Sequence, residues 1–331
     1  MSAEEIIATL KAEMAETLVG QETVVDAMLI GLLTGGHILL EGLPGLAKTL
    51  AVRALANAVG GSFSRIQFTP DLLPSDIVGA TVYLPEEQRF ETRIGPIAAN
   101  LVLADEVNRA PAKVQSALLE AMQEHQVTIG GKCFPLPQPF MVIATENPIE
   151  HTGTYPLPEA QKDRFMLQVR LQYPERDEEQ QILERFGKNA ALGVRKTVVT
   201  LQQLLEARAE LDALHIEECL KEYLLDIVIA TRPGERAKLS EAQQGKETQK
   251  ALSELAPLLE TGASPRASLA LLMASKAMAL IRGRRFVLPD DVKAAARLAL
   301  PHRIQLSFDA EAQKITANDL LEKLLDHLIS K

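Results

Sequence analysis

Residues 41–50 read Glu41-Gly42-Leu43-Pro44-Gly45-Leu46-Ala47-Lys48-Thr49-Leu50, or EGLPGLAKTL in one-letter code. The stretch follows the phosphate-loop pattern G-x-x-x-x-G-K-[ST] with one departure, Ala47 in place of the second glycine. Gly42 and Gly45 supply turning freedom, and the backbone N–H groups leading into a helix can face phosphate oxygens. In such a loop Lys48 neutralises the β- and γ-phosphates, and Thr49 offers its hydroxyl to Mg²⁺. Alanine adds one methyl near a helix start, where φ is negative, and is sterically allowed. On this stretch alone, an ordinary helix start with a chance Lys-Thr pair competes with a phosphate cradle.

The flanks favour the cradle. Residues 37–42 (HILLEG) form a short apolar run and predict a strand, while residues 50–59 are rich in alanine and leucine and predict a helix. Strand, glycine-rich turn and helix, in that order, are the context a phosphate loop requires. Further strand-like runs are FSRIQF (63–68), NLVLADE (100–106), FMVIATEN (140–147) and RFMLQVRL (164–171). Those at 100–106 and 140–147 are apolar on both faces, as in central parallel strands, and a helix over 113–123 lies between them. The first part of the chain is therefore read as α/β, a doubly wound parallel sheet of five strands. Two hairpins interrupt it, at 81–95 with a turn at Pro85-Glu86-Glu87 and at 127–136 with a turn at Gly130-Gly131.

Past Pro174 the strand signal fades and helical periodicity takes over. The sequence thus predicts an α/β core over 1–174 and an all-α part over 175–331. Within the latter, the polar and charged run 233–250 (PGERAKLSEAQQGKETQK) predicts a mobile surface insertion.

Composition bounds the function. The 331 residues carry a formal net charge of −9, which argues against a generally basic nucleic-acid binder. Cys133 and Cys219 lie far apart and form no C-x-x-C spacing, so we expect reduced thiols in a cytoplasmic protein with no zinc framework. The N-terminus has no basic region followed by an apolar run, which excludes a secretory signal. The longest apolar stretch is broken by Asp26, Gly35-Gly36 and His37, which argues against a membrane span.

Two more polar features end apolar strands. Asp105-Glu106 closes LVLADE, and buried carboxylates need partners. Beside a phosphate loop, Asp105 would hold Mg²⁺ and Glu106 would orient or deprotonate the attacking water. The alternative, an acidic pair capping the next helix, becomes minor once both motifs coexist. Asn147 ends FMVIATEN and could position the same water, although a plain turn asparagine before Pro148 is nearly as good a reading.

With these residues placed, the sequence resembles the AAA+ ATPases, and within them the MoxR family. The segments that carry the likeness are VGQETVVDAMLIGLLTGGHILLEGLPGLAKT, RIQFTPDLLPSDIVG, LADEVNRAPAKVQSALLEAMQEHQVTIGG and IATENPIEHTGTYPLPEAQKDRF. They span about 18–165, and the likeness resumes in the lid. GLAKT is a common form of this family's own loop, so Ala47 looks like a family trait. The resemblance implies that residues 42–50 contact ATP and that Val19 and Gly20 hold the adenine. It also implies that Asn147 is sensor-1, that Arg164 in KDRF is the arginine finger reaching a neighbour's γ-phosphate, and that Arg266 in GASPRA is sensor-2. Whether Arg266 acts on its own subunit or the next stays open. The hairpins match the inserts of the family's helix-2 and pre-sensor-1 positions, and 175–331 matches the lid.

The implied function is Mg²⁺-dependent ATP hydrolysis by a homo-oligomeric ring, a hexamer by resemblance. The ring would act as a chaperone-like remodeller with a von Willebrand factor A domain partner and a protein client. A nucleic-acid motor related to ring helicases and a metal-chelatase motor subunit are the alternatives. The helicase reading is weakened by the acidic charge and by a hairpin at 127–136 that offers only Lys132 as a base.

Overall fold

The computed structural model describes residues 1–42, 46, 48–147, 154–187 and 197–329. Helices α1 (Ala3–Ala15) and α2 (Glu22–Thr34) precede β1 (Ile38–Glu41), and α3 (Lys48–Ala58) follows it. Strand β2 (Phe63–Gln67) and helix α4 (Pro74–Val78) lead into a hairpin of β3 (Gly79–Leu84) and β4 (Arg89–Ile94). Then come β5 (Leu101–Asp105), α5 (Ala112–Glu124) and a second hairpin, β6 (Gln126–Ile129) and β7 (Lys132–Pro135). Strand β8 (Met141–Glu146), helix α6 (Glu159–Lys162) and strand β9 (Leu167–Arg170) complete the α/β part.

The five long-range strands form one sheet in the order β2-β5-β8-β1-β9, with every pairing parallel. Its apolar strands are buried on both faces for a simple reason. Leu101 and Leu103 of β5 join Met141 and Ile143 of β8 in a core shared with α1–α3. The alternate residues, Val102, Ala104, Val142 and Ala144, join a second core shared with α5. The register sets Glu41 between Glu146 and Arg170 at the carboxyl end of the sheet. That end is where open α/β sheets bind their ligands. Both expected hairpins form, and the tighter one turns on Gly130 (φ 58°) and Gly131 (φ 77°), torsions that side chains resist.

The rest is helical: α7 (Arg176–Phe186), α8 (Leu201–Ala213), α9 (Glu218–Ala230), α10 (Lys246–Leu255), α11 (Pro265–Ile281), α12 (Pro289–Ala299), α13 (Phe308–Ala312) and α14 (Ala317–His327). Residues 259–261 and 305–306 add a small antiparallel pair. Leu204 and Leu211 of α8 and Leu271 of α11 share one core with Met28, Leu29 and Leu32 of α2. The change at residue 174 is therefore one of architecture, without a break in packing.

One expectation fails here. The run 233–250 is no loose excursion, because its polar side chains tie it down. Buried Asp226 accepts hydrogen bonds from the Ser240 amide at 2.9 Å and the Ser240 hydroxyl. Gln243, fully buried, donates to the Ile329 carbonyl at 2.8 Å and accepts from the Ile329 amide at 3.0 Å. Leu252 and Leu255 of α10 then enter the main core. Charge composition alone conceals such side-chain-to-backbone clamps. Among the described residues, no helix is long and apolar enough to cross a membrane.

Two buried histidines make the fold acid-sensitive. The His37 ring accepts from the Val142 amide at 3.0 Å and donates to the Met122 carbonyl at 3.0 Å. Burial pushes its pKa down from 6.5 to about 4, and burial beside Arg303 pushes His302 well below 6.5 as well. Both rings are neutral when folded, whereas the unfolded chain takes up these protons below about pH 6.5. Their stabilising effect is thus complete above that pH and lost as pH falls, to the extent of about 3 kcal/mol for His37 alone. Urea unfolding should show a lower midpoint at pH 5 than at pH 7, with a weaker drop in His37→Gln. A midpoint that does not move between these pH values would contradict this origin.

Candidate active site

The loop after β1 brings Gly42 against β9: a Cβ on Gly42 would lie 2.7 Å from the Leu171 Cβ, so a side chain does not fit there. Lys48 begins α3 and turns its ammonium back onto the Gly42 carbonyl at 2.6 Å. Burial lowers the Lys48 pKa, and the Asp105 and Glu106 carboxylates oppose that effect. Thr49 and Leu50 follow on the first turn of α3, both half-buried. Leu46 lies beside them, while Leu43, Pro44, Gly45 and Ala47 lie outside the described residues.

The acidic pair faces this lysine from the end of β5. Asp105 accepts the Thr145 hydroxyl on Oδ1 at 2.7 Å, and its Oδ2 takes Arg65 Nη2 at 2.7 Å and Nε at 3.1 Å. Glu106 occupies the left-handed region (φ 58°, ψ 51°), which costs a residue with a side chain on the order of 1–2 kcal/mol. Its amide donates to the Thr145 oxygen at 2.8 Å, which holds the kink. Its Oε2 accepts from Gln67 Nε2 at 2.8 Å and pairs with Arg109 Nε at 2.9 Å. Asn147, 6% exposed, follows β8 next to this pair, and its carbonyl accepts from the Asn108 side chain at 3.3 Å. The elements thus converge on one spot: β1 and α3 supply the lysine, β5 the carboxylates, and β8 the threonine and asparagine.

An apolar cleft of about 550 Å³ adjoins this spot, a volume suited to a ligand of nucleoside size. Val19, Leu46, Leu50, Tyr173, Ile182 and Phe186 line it. Gly20, between the lining residues Val19 and Gln21, does not itself line this cleft; its φ is 69°, and a Cβ there would strike the Glu178 side chain at 2.2 Å. A flat heterocycle would find apolar walls from three separate parts of the chain.

Arg164 and Arg266 sit elsewhere. Leu167, the first residue of β9, pairs with Ile38 at the amino end of β1, and Arg164 lies three residues before it. Lys48 lies past the opposite, carboxyl end. The four-residue β1 alone spans roughly 13 Å at 3.3 Å per residue, so the two ends are out of side-chain reach. Arg164 and Arg266 instead line a shallow cleft of about 240 Å³ together with Asp163, Leu269 and Arg303. Arg266 Nη1 comes within 3.9 Å of Asp163 Oδ2. Among the described residues, the Arg164 guanidinium has no hydrogen-bond or ion-pair partner. The candidate residues therefore divide into two groups at opposite ends of the sheet.

Sequence reasoning missed Arg65, Gln67, Arg109 and Thr145, which hold the two carboxylates. Only the spacing hinted at them. Arg65 and Gln67 alternate on β2 and lie on one face, and Gln67 pairs in register with Asp105.

Comparison with known proteins agrees with the fold. Residues 37–167 match the model of the ATPase family associated with various cellular activities (AAA), and residues 253–324 match an AAA lid domain. The chain is 45% identical over 313 residues to Chaperone MoxR1 of Mycobacterium tuberculosis, covering 95% of this chain and 79% of that protein. It is 41% identical over 308 residues to YeaC of Bacillus subtilis, covering 93% and 89% of the two. A solved structure from Cytophaga hutchinsonii superposes with a TM-score of 0.87 at 43% identity, covering 99% and 96%.

Proposed function

Because the chain belongs to the MoxR family of AAA ATPases, we propose that it works as a ring whose ATP sites are shared between neighbouring subunits. One observation carries this reading: Lys48, Asp105 and Glu106 lie at one end of the sheet, whereas Arg164 and Arg266 lie at the other. A head-to-tail ring brings the second group of one subunit onto the first group of the next. A single chain holds only part of the site.

Within this reading each residue has a task. The adenine enters the cleft lined by Val19 and Tyr173, with Gly20 next in the chain to Val19. Lys48 leaves the Gly42 carbonyl for the β- and γ-phosphates, and residues 42–50 wrap the phosphate chain. Glu106 takes a proton from the attacking water, which Asn147 helps to orient. Arg164 and Arg266 of the neighbour neutralise charge that develops on the γ-phosphoryl oxygens. We assign Arg266, which lies beside Arg164, to the neighbour's nucleotide.

The site suits Mg²⁺. Its available donors are oxygens, the Thr49 hydroxyl and the Asp105 carboxylate, and Asp105 is held at the strand end by Thr145 and Arg65. Mg²⁺ takes few protein ligands and draws the rest from phosphate and water. When bound, it supplies neutralisation of the β- and γ-phosphate charge.

The broader role we assign is chaperone-like remodelling or maturation of a client protein, in a hexamer and with a von Willebrand factor A domain partner. The support is kinship with the protein named Chaperone MoxR1. We also treat 1–174 and 175–331 as core and lid. Shared sites make a simple kinetic demand: ATP turnover per chain should rise with protein concentration and level off once rings are complete. Turnover per chain that stays constant on dilution to monomers would overturn the shared-site reading.

A further inference from the structure

The segment that carries Arg164 is not free to move on its own. Residues 163–166 connect α6 to β9, and their backbone is gripped by the turn that follows α12. Arg303, whose side chain is only 3% exposed, uses all five of its N–H donors here. Nε donates to Asp163 Oδ1 at 2.7 Å. One Nη2 bond reaches the Asp163 carbonyl at 3.2 Å and another the Phe165 carbonyl at 2.7 Å. Nη1 donates to the Met166 carbonyl at 3.0 Å and to the Ala299 carbonyl at the end of α12. His302 adds a bond from Nε2 to the Phe165 carbonyl at 3.0 Å.

The same segment is tied to the start of α11. The Ser264 hydroxyl donates to Asp163 at 3.0 Å, and Arg266 approaches the same carboxylate. Asp163 thus joins three parts of the chain: its own Arg164-bearing turn, the helix start that carries Arg266, and the buried Arg303. A buried guanidinium with a single carboxylate partner is a costly device for stability alone, since an apolar residue of similar volume could fill that space. What it supplies is fixed direction, because a planar five-donor group accepts few arrangements of its partners.

We propose that Arg303 is a positioning residue: it locks the Arg164 turn to the helical part that carries Arg266, so both guanidiniums meet the neighbour's nucleotide as one rigid unit. This rests on the shared-site reading. It also means that any tilt of the helical part moves Arg164 by the same rotation. Hydrolysis in one subunit would then answer to the posture of the helical part of the next.

The test is Arg303→Lys, which keeps the charge and the stem but offers three donors to five acceptors. In assembled rings, kcat should fall at least about tenfold while KM for ATP stays within about twofold, because the chain's own nucleotide cleft is untouched. The defect should also be repaired by mixing. In an equal mixture with Lys48→Ala chains, about one interface in four sets an intact loop against an Arg164 turn held by an intact Arg303, so turnover should return to about a quarter of the parent's. A purely structural role would lower stability without this split or this repair. Arg164→Ala mixed with Lys48→Ala is run in parallel. If that pair recovers and the Arg303→Lys pair does not, or if Arg303→Lys keeps the parent's kcat, the positioning role is overturned. If neither pair recovers, the shared-site reading itself fails. Should Arg303→Lys not fold, Asp163→Asn takes its place with the same expected and overturning results.

Discussion

Glu106→Gln should lower ATP turnover by a factor of about 10²–10⁴, the usual contribution of a general base, while ATP still binds. The argument is geometric. Glu106 sits one residue past β5 on a left-handed kink that the Thr145 oxygen holds through the Glu106 amide. That kink turns the side chain away from the strand and beside Asp105 and Lys48, where the γ-phosphate is placed in our reading. Glutamine keeps the shape of the side chain and leaves the backbone contact with Thr145 in place. It can still bond Gln67, but it cannot take a proton. Steady-state turnover and equilibrium binding of ATP, measured on the same preparation, separate the two effects. Turnover within about twofold of the parent would remove Glu106 from the base role. Loss of binding together with turnover would mean that the substitution had disturbed the loop instead.

Arg164→Ala should be at least as severe, since an arginine reaching a transferring phosphoryl group contributes on the order of 10³–10⁵ to kcat. Its position makes the expected pattern unusual for a catalytic side chain. Arg164 lies at the amino end of the sheet, out of reach of its own Lys48, so the variant chain should bind ATP as the parent does. The deficit should appear only in kcat of the assembled ring. Folding should survive, because the guanidinium has no partner among the described residues. If Arg164→Ala rings turn over ATP at the parent's rate, the arginine serves some other purpose on that surface.

Much of this was legible in the sequence, for reasons that can be named. The Asp105-Glu106 pair at the end of β5 and the Gly130-Gly131 turn are local patterns, in which a few adjacent residues fix the geometry. The five strands were legible because burial on both faces leaves unbroken apolar runs such as those of β5 and β8. The contacts that hold the carboxylates were not, because Arg65 and Gln67 meet Asp105 and Glu106 only through the register of β2 on β5. Arg303 escaped for the same reason, with its partner Asp163 lying 140 residues away in the chain. The run 233–250 misled because composition counts charges and cannot see Asp226 and Gln243 turning inward. That Arg266 lies beside Arg164 was not legible either, since only the contact of the start of α11 with Asp163 brings them together.

The central claim is that one catalytic site is assembled from two chains. It is tested most directly by mixing Lys48→Ala and Arg164→Ala proteins, each nearly inactive alone, in equal amounts under ring-forming conditions and measuring ATP turnover. Shared sites predict recovery to about a quarter of the parent's activity, the fraction of interfaces that pair an intact loop with an intact Arg164. A mixture that stays as inactive as its components would contradict the account.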